Sequence, residues 1–175
     1  MVEPHSRAFT LFSKAVEGVN ALFTAIACLL VAAIGIIVVA ATLARSFGAP
    51  QMWAHDYAQI AFVYVVFLSL APALQSGQHV TVELFEGLVP RGFRKYLDHV
   101  AAIACILFGA IFFWYLWQLT ARSFGDNRLA NAVITVQLKW IQVIGPIGVL
   151  QFVLTALLRL AEAQQRLRAA DRLKD

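Results

Sequence analysis

Four long apolar stretches divide the chain, and most of its polar residues collect between them. The stretches cover residues 18–44, 57–78, 98–121 and 140–160, and the only Asp, Glu, Lys or Arg residues in them are Asp98 and Arg159, each within two positions of an end. A helix needs roughly 17–25 residues to cross the hydrocarbon core of a bilayer. The pattern therefore predicts four transmembrane helices within a single membrane domain, residues 1–175, followed after the last helix by a polar tail, residues 161–175.

Composition leads to the same fold class. Hydrophobic residues make up 61% of the chain and charged residues 14%, a balance far from that of a soluble globular domain. The first apolar stretch is much longer than the roughly 7–15 residues of a signal-peptide core, so we expect it to remain as a membrane span. The prediction is an all-α integral membrane protein with four transmembrane helices.

The distribution of basic residues predicts which way the chain threads the membrane. Ten of the fourteen Lys and Arg residues lie in the N-terminal segment, the loop between spans two and three, and the tail. Cytoplasmic flanks of membrane proteins are enriched in these residues, so both termini are predicted to be cytoplasmic. The net charge of +4 then comes mostly from the cytoplasmic flanks of the spans, and it does not indicate a nucleic-acid partner.

Two amphipathic segments flank the spans. Phe9, Phe12, Val16 and Val19 recur at helical spacing, which predicts an N-terminal amphipathic helix leading into span one. Between spans two and three, the stretch 75–85 could be a strand or a helix. A lone strand at a membrane surface would leave backbone groups unpaired, so a short interfacial helix on the cytoplasmic face is the better interpretation.

The spans contain polar side chains but little that suggests chemistry. No HExxH, GxSxG or P-loop pattern occurs, so no enzymatic activity is predicted. Cys28 and Cys105 each lie alone in an apolar stretch, and no metal or cofactor site is predicted in this chain. Hydrogen bonding between helices is the expected role of the uncharged polar residues. These are Thr24, Thr42, Gln59, Ser69, Gln118, Thr120, Gln142, Gln151 and Thr155.

Two functions other than a scaffold subunit remain open on these grounds. An autonomous, oligomeric four-helix exporter would rely on a glutamate in span one, and Glu17 lies one residue before that span. A membrane redox or haem protein would need facing histidines at mid-depth, whereas His55, His79 and His99 fall at span ends. Both alternatives are less well supported than a subunit that works with a larger partner.

A more specific signal comes from the loop between spans two and three. His79, Val82, Glu83 and Leu84 form a His-hydrophobic-x-Val-acidic-Leu element with Val80. A Leu-x-Pro step ending at Pro90 and a basic cluster, Arg91, Arg94 and Lys95, follow it. This order resembles the corresponding loop of the small, DctQ-type membrane subunit of TRAP transporters, the tripartite ATP-independent periplasmic transporters.

Two span entries extend the resemblance along the chain. Trp53 followed closely by Asp56 is similar to the start of the family's second span. Trp140 followed by Pro146 and Gly148 is similar to the Trp and Pro-x-Gly of its fourth span.

The resemblance implies a non-catalytic subunit of a sodium-coupled, binding-protein-dependent transporter for organic acids in the bacterial inner membrane. Its expected partners are a large multi-span membrane subunit, which it packs against and stabilises, and a periplasmic substrate-binding protein, which it helps to dock. Sodium is expected in the large subunit, and membrane lipids surround both. Polar residues at the outer end are candidate docking contacts. They are Arg45, Trp53, His55, Arg122, Asp126, Arg128, Asn131 and Lys139.

Overall fold

The computed structural model contains four long helices. It describes residues 4–49, 51–76, 94–126 and 137–172, and within these ranges the side chains of residues 9–49, 51–76, 100–125 and 137–164. The helices are α1 (Pro4–Ser46), α2 (Trp53–Gln75), α3 (Arg94–Asp126) and α4 (Leu138–Arg172). No β-strand occurs in these ranges, so the all-α prediction is confirmed.

Each helix contains a segment that is long and apolar enough to span a membrane. The segments are Phe9–Ser46, Trp53–Gln75, Val100–Gly125 and Leu138–Gln164. The prediction of four membrane spans is thereby confirmed.

The first helix is continuous from the amphipathic N-terminal segment into the apolar stretch. Its apolar segment of 38 residues would be about 57 Å long at 1.5 Å per residue, against a hydrocarbon core of about 30 Å, so it must tilt or protrude. A Schellman motif ends the helix. Gly48 has a φ of 80° and donates its N–H to the Arg45 carbonyl, while the Ala49 N–H bonds the Ala44 carbonyl.

The helices form an open layer rather than a closed bundle. α1 packs on α2, α2 packs on α4, and α4 packs on α3, so the order across the layer is α1, α2, α4, α3. Contact between α1 and α4 is smaller and includes the region of Val16 and Asn20. The described parts of α1 and α3 therefore lie at the two edges of the layer.

The most buried apolar side chains belong to α2 and α4. Ala71 and Ala156 are completely buried, and Val149 and Leu68 are nearly so. Against the rest of the chain, 6% of the most apolar window of α1 and 11% of that of α3 are buried, compared with 44% for α4. The large apolar side chains of α1 and α3 therefore face outward, as suits helices surrounded by lipid or by another membrane protein.

Contacts between helices define the two ends of the layer. Asn20 of α1, Gln75 at the end of α2, and Thr155 of α4 meet at what we call the Asn20 end. Phe124 of α3 and Lys139 at the start of α4 meet at the other, which we call the Trp140 end. Successive helices thus run in alternating directions.

Candidate functional site

A buried polar cluster joins three helices at the Asn20 end. The Asn20 amide nitrogen donates to Gln75 Oε1 at 2.6 Å and to Thr155 Oγ1 at 3.1 Å. The Gln151 amide nitrogen donates to Asn20 Oδ1 at 2.9 Å. We call these four residues the Asn20 cluster; Asn20 and Thr155 are 1% exposed and Gln151 is 7% exposed.

Backbone carbonyls take the remaining donors of the cluster. Gln151 also donates to the Val16 carbonyl at 3.2 Å, and the Thr155 hydroxyl donates to the Gln151 carbonyl at 2.9 Å. Both N–H groups of the Asn20 and Gln151 amides are therefore used. A buried amide with unused donors would cost free energy, so this arrangement is strongly preferred over others in which α1, α2 and α4 are displaced.

An arginine at the edge of the cluster holds the end of α2. The Arg159 guanidinium donates to the Gln75 backbone carbonyl and lies 3.5 Å from a Glu162 carboxylate oxygen. The last carbonyls of a helix have no partner within the helix, and a basic side chain is a suitable donor to them. Arg159 therefore anchors the C-terminal end of α2 to α4, just before the connector between spans two and three.

Glycine brings α2 and α4 together at mid-layer. A Cβ added to Gly148 would lie 2.9 Å from the Phe67 carbonyl carbon and nearer still to its oxygen. Gly145, one turn earlier, faces the Phe67 ring and the Leu116 side chain of α3. Gly148 is one of the family-matching residues, and its role here is to let two helix backbones approach closely.

Pro146 is accommodated by a contact from the neighbouring helix. Proline has no N–H, so the Gln142 carbonyl four residues earlier loses its partner within α4. The Thr120 hydroxyl of α3 donates to that carbonyl at 3.4 Å. Nearby, the Tyr64 hydroxyl of α2 donates to the Trp140 carbonyl at 2.8 Å.

The described docking candidates all belong to the Trp140 end. Arg45 is exposed at the end of α1, Trp53 and His55 are exposed at the start of α2, and Arg122 is exposed near the end of α3. Lys139 is partly buried at the start of α4, with its ammonium 5.8 Å from the centre of the Phe124 ring. Asp126 is the last residue of α3, whereas Arg128 and Asn131 lie outside the described residues.

The remaining family-motif residues occupy the connector and the span entries. His79, Val82, Glu83, Leu84, Pro90 and Arg91 lie outside the described residues, as does the predicted interfacial helix, and Arg94 is the first residue of α3. At the span entries, Asp56 is partly buried in the first turn of α2, and Pro146 is buried within α4. Trp140 has an exposed side chain.

Sequence reasoning found part of the Asn20 cluster and missed the rest. Gln151 and Thr155 were expected to bond between helices, and the structure shows that they do. Asn20 and Gln75, the other two members of the cluster, and the neighbouring Arg159 are not among the residues predicted to bond between helices. One signal could have found Asn20 and Arg159: each is a strongly polar residue within two positions of the end of an apolar stretch, on the side predicted to be cytoplasmic.

The described side chains show no arrangement suited to metal binding. Among them, no group of three or more His, Cys, Asp or Glu residues lies together. Cys28 is exposed and Cys105 is partly buried, and both are free thiols. Some of the described polar side chains join helices, such as Gln151, whereas others, such as Thr24 and Thr42, bond the backbone of their own helix.

Four apolar helices held by buried hydrogen bonds and close glycine contacts define a polytopic α-helical membrane protein. A family model described as "Tripartite ATP-independent periplasmic transporters, DctQ component" matches residues 34–166. The chain belongs to this family, so it is a small membrane component of a TRAP transporter, and components of this kind take part in transport rather than catalyse reactions.

One relative is a much longer transporter protein. The sialic acid TRAP transporter permease protein SiaT of Haemophilus influenzae (strain 86-028NP) is 26% identical over 114 residues, which are 65% of this chain and 18% of the relative. The match therefore spans less than a fifth of that protein's length.

Proposed function

We propose that this chain is the non-catalytic small subunit of a sodium-coupled, binding-protein-dependent TRAP transporter that takes up organic acids across the bacterial inner membrane. The observation that carries the proposal is the family match over residues 34–166. The SiaT relative supports it, because a segment similar to this chain forms 18% of a much longer permease polypeptide. We propose that a module of this size works beside a larger membrane portion, which is a separate large subunit here.

The open layer suits a subunit that packs against another membrane protein. Its edge helices expose large apolar side chains, such as Ile36 on α1 and Leu107 on α3, which are 70% and 59% exposed. The apolar stretches carry no charged side chain at mid-depth, where coupled ions usually bind. We therefore assign sodium and substrate to the large subunit and a stabilising role to this chain.

Internal rigidity is part of that role. The Asn20 cluster and the Arg159 contact fix α1, α2 and α4 relative to one another at the Asn20 end. A layer held in one arrangement presents a constant surface to a partner that moves during transport. We infer that these contacts maintain the surface against which the large subunit works.

Polar residues at the Trp140 end are proposed to help dock the substrate-binding protein. Arg45, His55 and Arg122 are exposed there on three different helices. Charges at the rim of an interface mainly affect the rate of association and its dependence on salt. This proposal requires the Trp140 end to be periplasmic, as the distribution of basic residues predicts.

The small-exporter alternative depends on Glu17. In the structure Glu17 is exposed within the apolar segment of α1 and accepts a hydrogen bond of 2.8 Å from the Ser13 hydroxyl in the same helix. The scaffold role assigns no function to this carboxylate, whereas the exporter requires it, so substitution of Glu17 distinguishes the two.

Co-purification and transport measurements test the proposal together. A tagged chain is co-expressed with the large TRAP membrane subunit, purified in mild detergent, and reconstituted into vesicles with a sodium gradient. We expect a stable complex that transports an organic acid only when sodium and the binding protein are both present. Arg122→Glu should weaken binding-protein capture roughly five- to tenfold at low salt, and Arg122→Lys should preserve it.

The same preparations distinguish the alternatives. A chain that elutes as a lone monomer, although the large subunit is present, would contradict the scaffold role. Transport by vesicles containing this chain alone, abolished by Glu17→Gln, would establish the exporter instead. A Soret band in the absorption spectrum of the purified chain would indicate a haem protein.

A further inference from the structure

An apolar groove runs between α3 and α4 at the Trp140 end. Its volume is about 500 Å³, within the roughly 300–1,000 Å³ of sites that hold small organic ligands. Thr120 and Pro146 are buried, whereas Trp117, Phe124 and Ile147 are about half exposed and form its walls. The residues of α3 recur every three or four positions, so the groove follows one side of that helix for about 10 Å.

A cation lies beside the groove at its outer limit. The Lys139 ammonium is 5.8 Å from the centre of the Phe124 ring, and Phe124 is the groove residue nearest the end of α3. Lys139 is also the second residue of α4, where the positive end of the helix dipole favours a nearby anion. An apolar channel therefore adjoins positive charge at one end.

The depth of the groove matches the border between acyl chains and headgroups. Trp114, Trp117 and Trp140 are all more than half exposed in this part of the layer. Exposed tryptophans are enriched where the membrane meets water. A lipid whose acyl chain lies in the groove would therefore place its phosphate at the level of Lys139.

From this combination we infer that the groove binds one phospholipid with an anionic headgroup, its acyl chain against Thr120 and Pro146 and its phosphate near Lys139. A partner helix suits the groove less well. Tight contacts between membrane helices use small residues, whereas Trp117 and Phe124 form aromatic walls around a narrow channel. The adjacent cation selects for negative charge, which a helix in the bilayer rarely carries at this depth.

Competition between two lipids tests the inference. The full chain is purified in mild detergent and mixed with phosphatidylglycerol and phosphatidylcholine of identical acyl chains, and retained lipid is counted by native mass spectrometry. We expect one phosphatidylglycerol per chain. Lys139→Gln should lower its apparent affinity about fivefold, the effect of one basic residue near a charged lipid surface. Ala121→Trp should abolish retention, because the indole would occupy the groove.

Two control variants separate the site from general properties of the surface. Arg122 is exposed on α3 about 200° around the helix from Thr120, so Arg122→Gln removes one charge from the same end without touching the groove. Ala104 is exposed about 160° from Thr120, so Ala104→Trp adds the same bulk elsewhere on α3. We expect both variants to retain the lipid as the unmodified chain does.

Several outcomes would overturn the inference. Equal retention of the two lipids would show that the groove does not select an anionic headgroup. Equal losses in Lys139→Gln and Arg122→Gln would reduce the effect to general charge attraction. Unchanged binding in Ala121→Trp would remove the groove from the site. If the isolated chain retained the lipid but its complex with the large subunit did not, a partner helix would be the occupant in the assembled transporter.

Discussion

The Asn20 side chain is 1% exposed, and its amide contacts residues of two other helices. Its nitrogen donates to Gln75 and Thr155, and its oxygen accepts from Gln151. Hydrogen bonds between membrane helices contribute on average about 0.6 kcal/mol each and at most about 1.7 kcal/mol. Asn20 is therefore the side chain on which the Asn20 end depends most.

Replacing Asn20 by leucine should destabilise the protein. Asn20→Leu removes three hydrogen bonds and leaves one amide N–H of Gln151 buried without a partner, so we expect a loss of about 1–3 kcal/mol in the free energy of unfolding. Unfolding in detergent, followed by circular dichroism, measures the difference.

Thr42→Val provides a matched control. The Thr42 hydroxyl is exposed and donates only to the Val38 carbonyl of its own helix, so we expect a change below about 0.5 kcal/mol. Equal effects of the two substitutions would show that the bonds between helices do not stabilise the layer.

Only part of the Asn20 cluster is predictable from the sequence. Gln151 and Thr155 could be predicted to bond between helices because a polar group in hydrocarbon seeks a partner. Their partners could not be predicted, since Asn20 is separated from Gln151 by 131 residues and meets it only after α1 and α4 pack. The Arg159 contact with the Gln75 carbonyl depends on the same packing.

At the scale of helices, the close approach of α2 and α4 depends on Gly148. Hydropathy predicted the two spans but not their contact, because an apolar face toward lipid and one toward a helix have the same composition. The missing Cβ of Gly148 admits the backbone of Phe67. Phe67 in turn stacks on Phe112 of α3, with ring centres 6.3 Å apart, so this one contact influences three helices.

Adding a methyl group at Gly148 should separate these helices. Gly148→Ala would press Cβ against backbone atoms, which cannot rotate aside as a side chain can, and we expect a loss of about 1–3 kcal/mol. The midpoint of thermal unfolding in detergent measures the change.

Gly35→Ala is the matched control for this substitution. Gly35 is exposed on α1 with nothing within 4 Å of an added Cβ, so the greater helix propensity of alanine should leave stability unchanged or slightly higher. A Gly148→Ala protein as stable as Gly35→Ala would mean that α2 and α4 are farther apart than the structure shows.

At the scale of the whole molecule, alternating helices place the start of α1 and the end of α4 on one side of the layer. The first part of α1 and the second part of α4 meet at the Asn20 end, whereas the turn around Gly48 follows the other end of α1. Basic residues predict that the Asn20 end is cytoplasmic. Both proposed surfaces, the docking residues and the lipid groove, are at the Trp140 end and would then face the periplasmic side.

Labelling of single cysteines tests this orientation. Cys28 and Cys105 are first replaced by serine, and Ala49→Cys or Gln164→Cys is introduced at an exposed position at either end. A membrane-impermeant maleimide is applied to cells with a permeable outer envelope. It should label the Ala49→Cys protein and leave the Gln164→Cys protein unlabelled until the inner membrane is opened.

The reverse pattern would invert the orientation and place the docking candidates in the cytoplasm. Labelling of both positions from the same side would contradict the alternating arrangement of the helices itself.

The fold class, the four spans and the family resemblance follow from the amino-acid sequence alone. Transfer from water to lipid acts on each residue through its own polarity, so the apolar stretches can be identified without knowing their neighbours. The order α1, α2, α4, α3, the Asn20 cluster, and the groove beside Lys139 become apparent only once the helices are packed. Each of these features depends on which helix faces meet. Hydrophobicity does not distinguish lipid from a neighbouring helix, so within the membrane the pairing of faces follows from close packing and hydrogen bonding between residues distant in sequence.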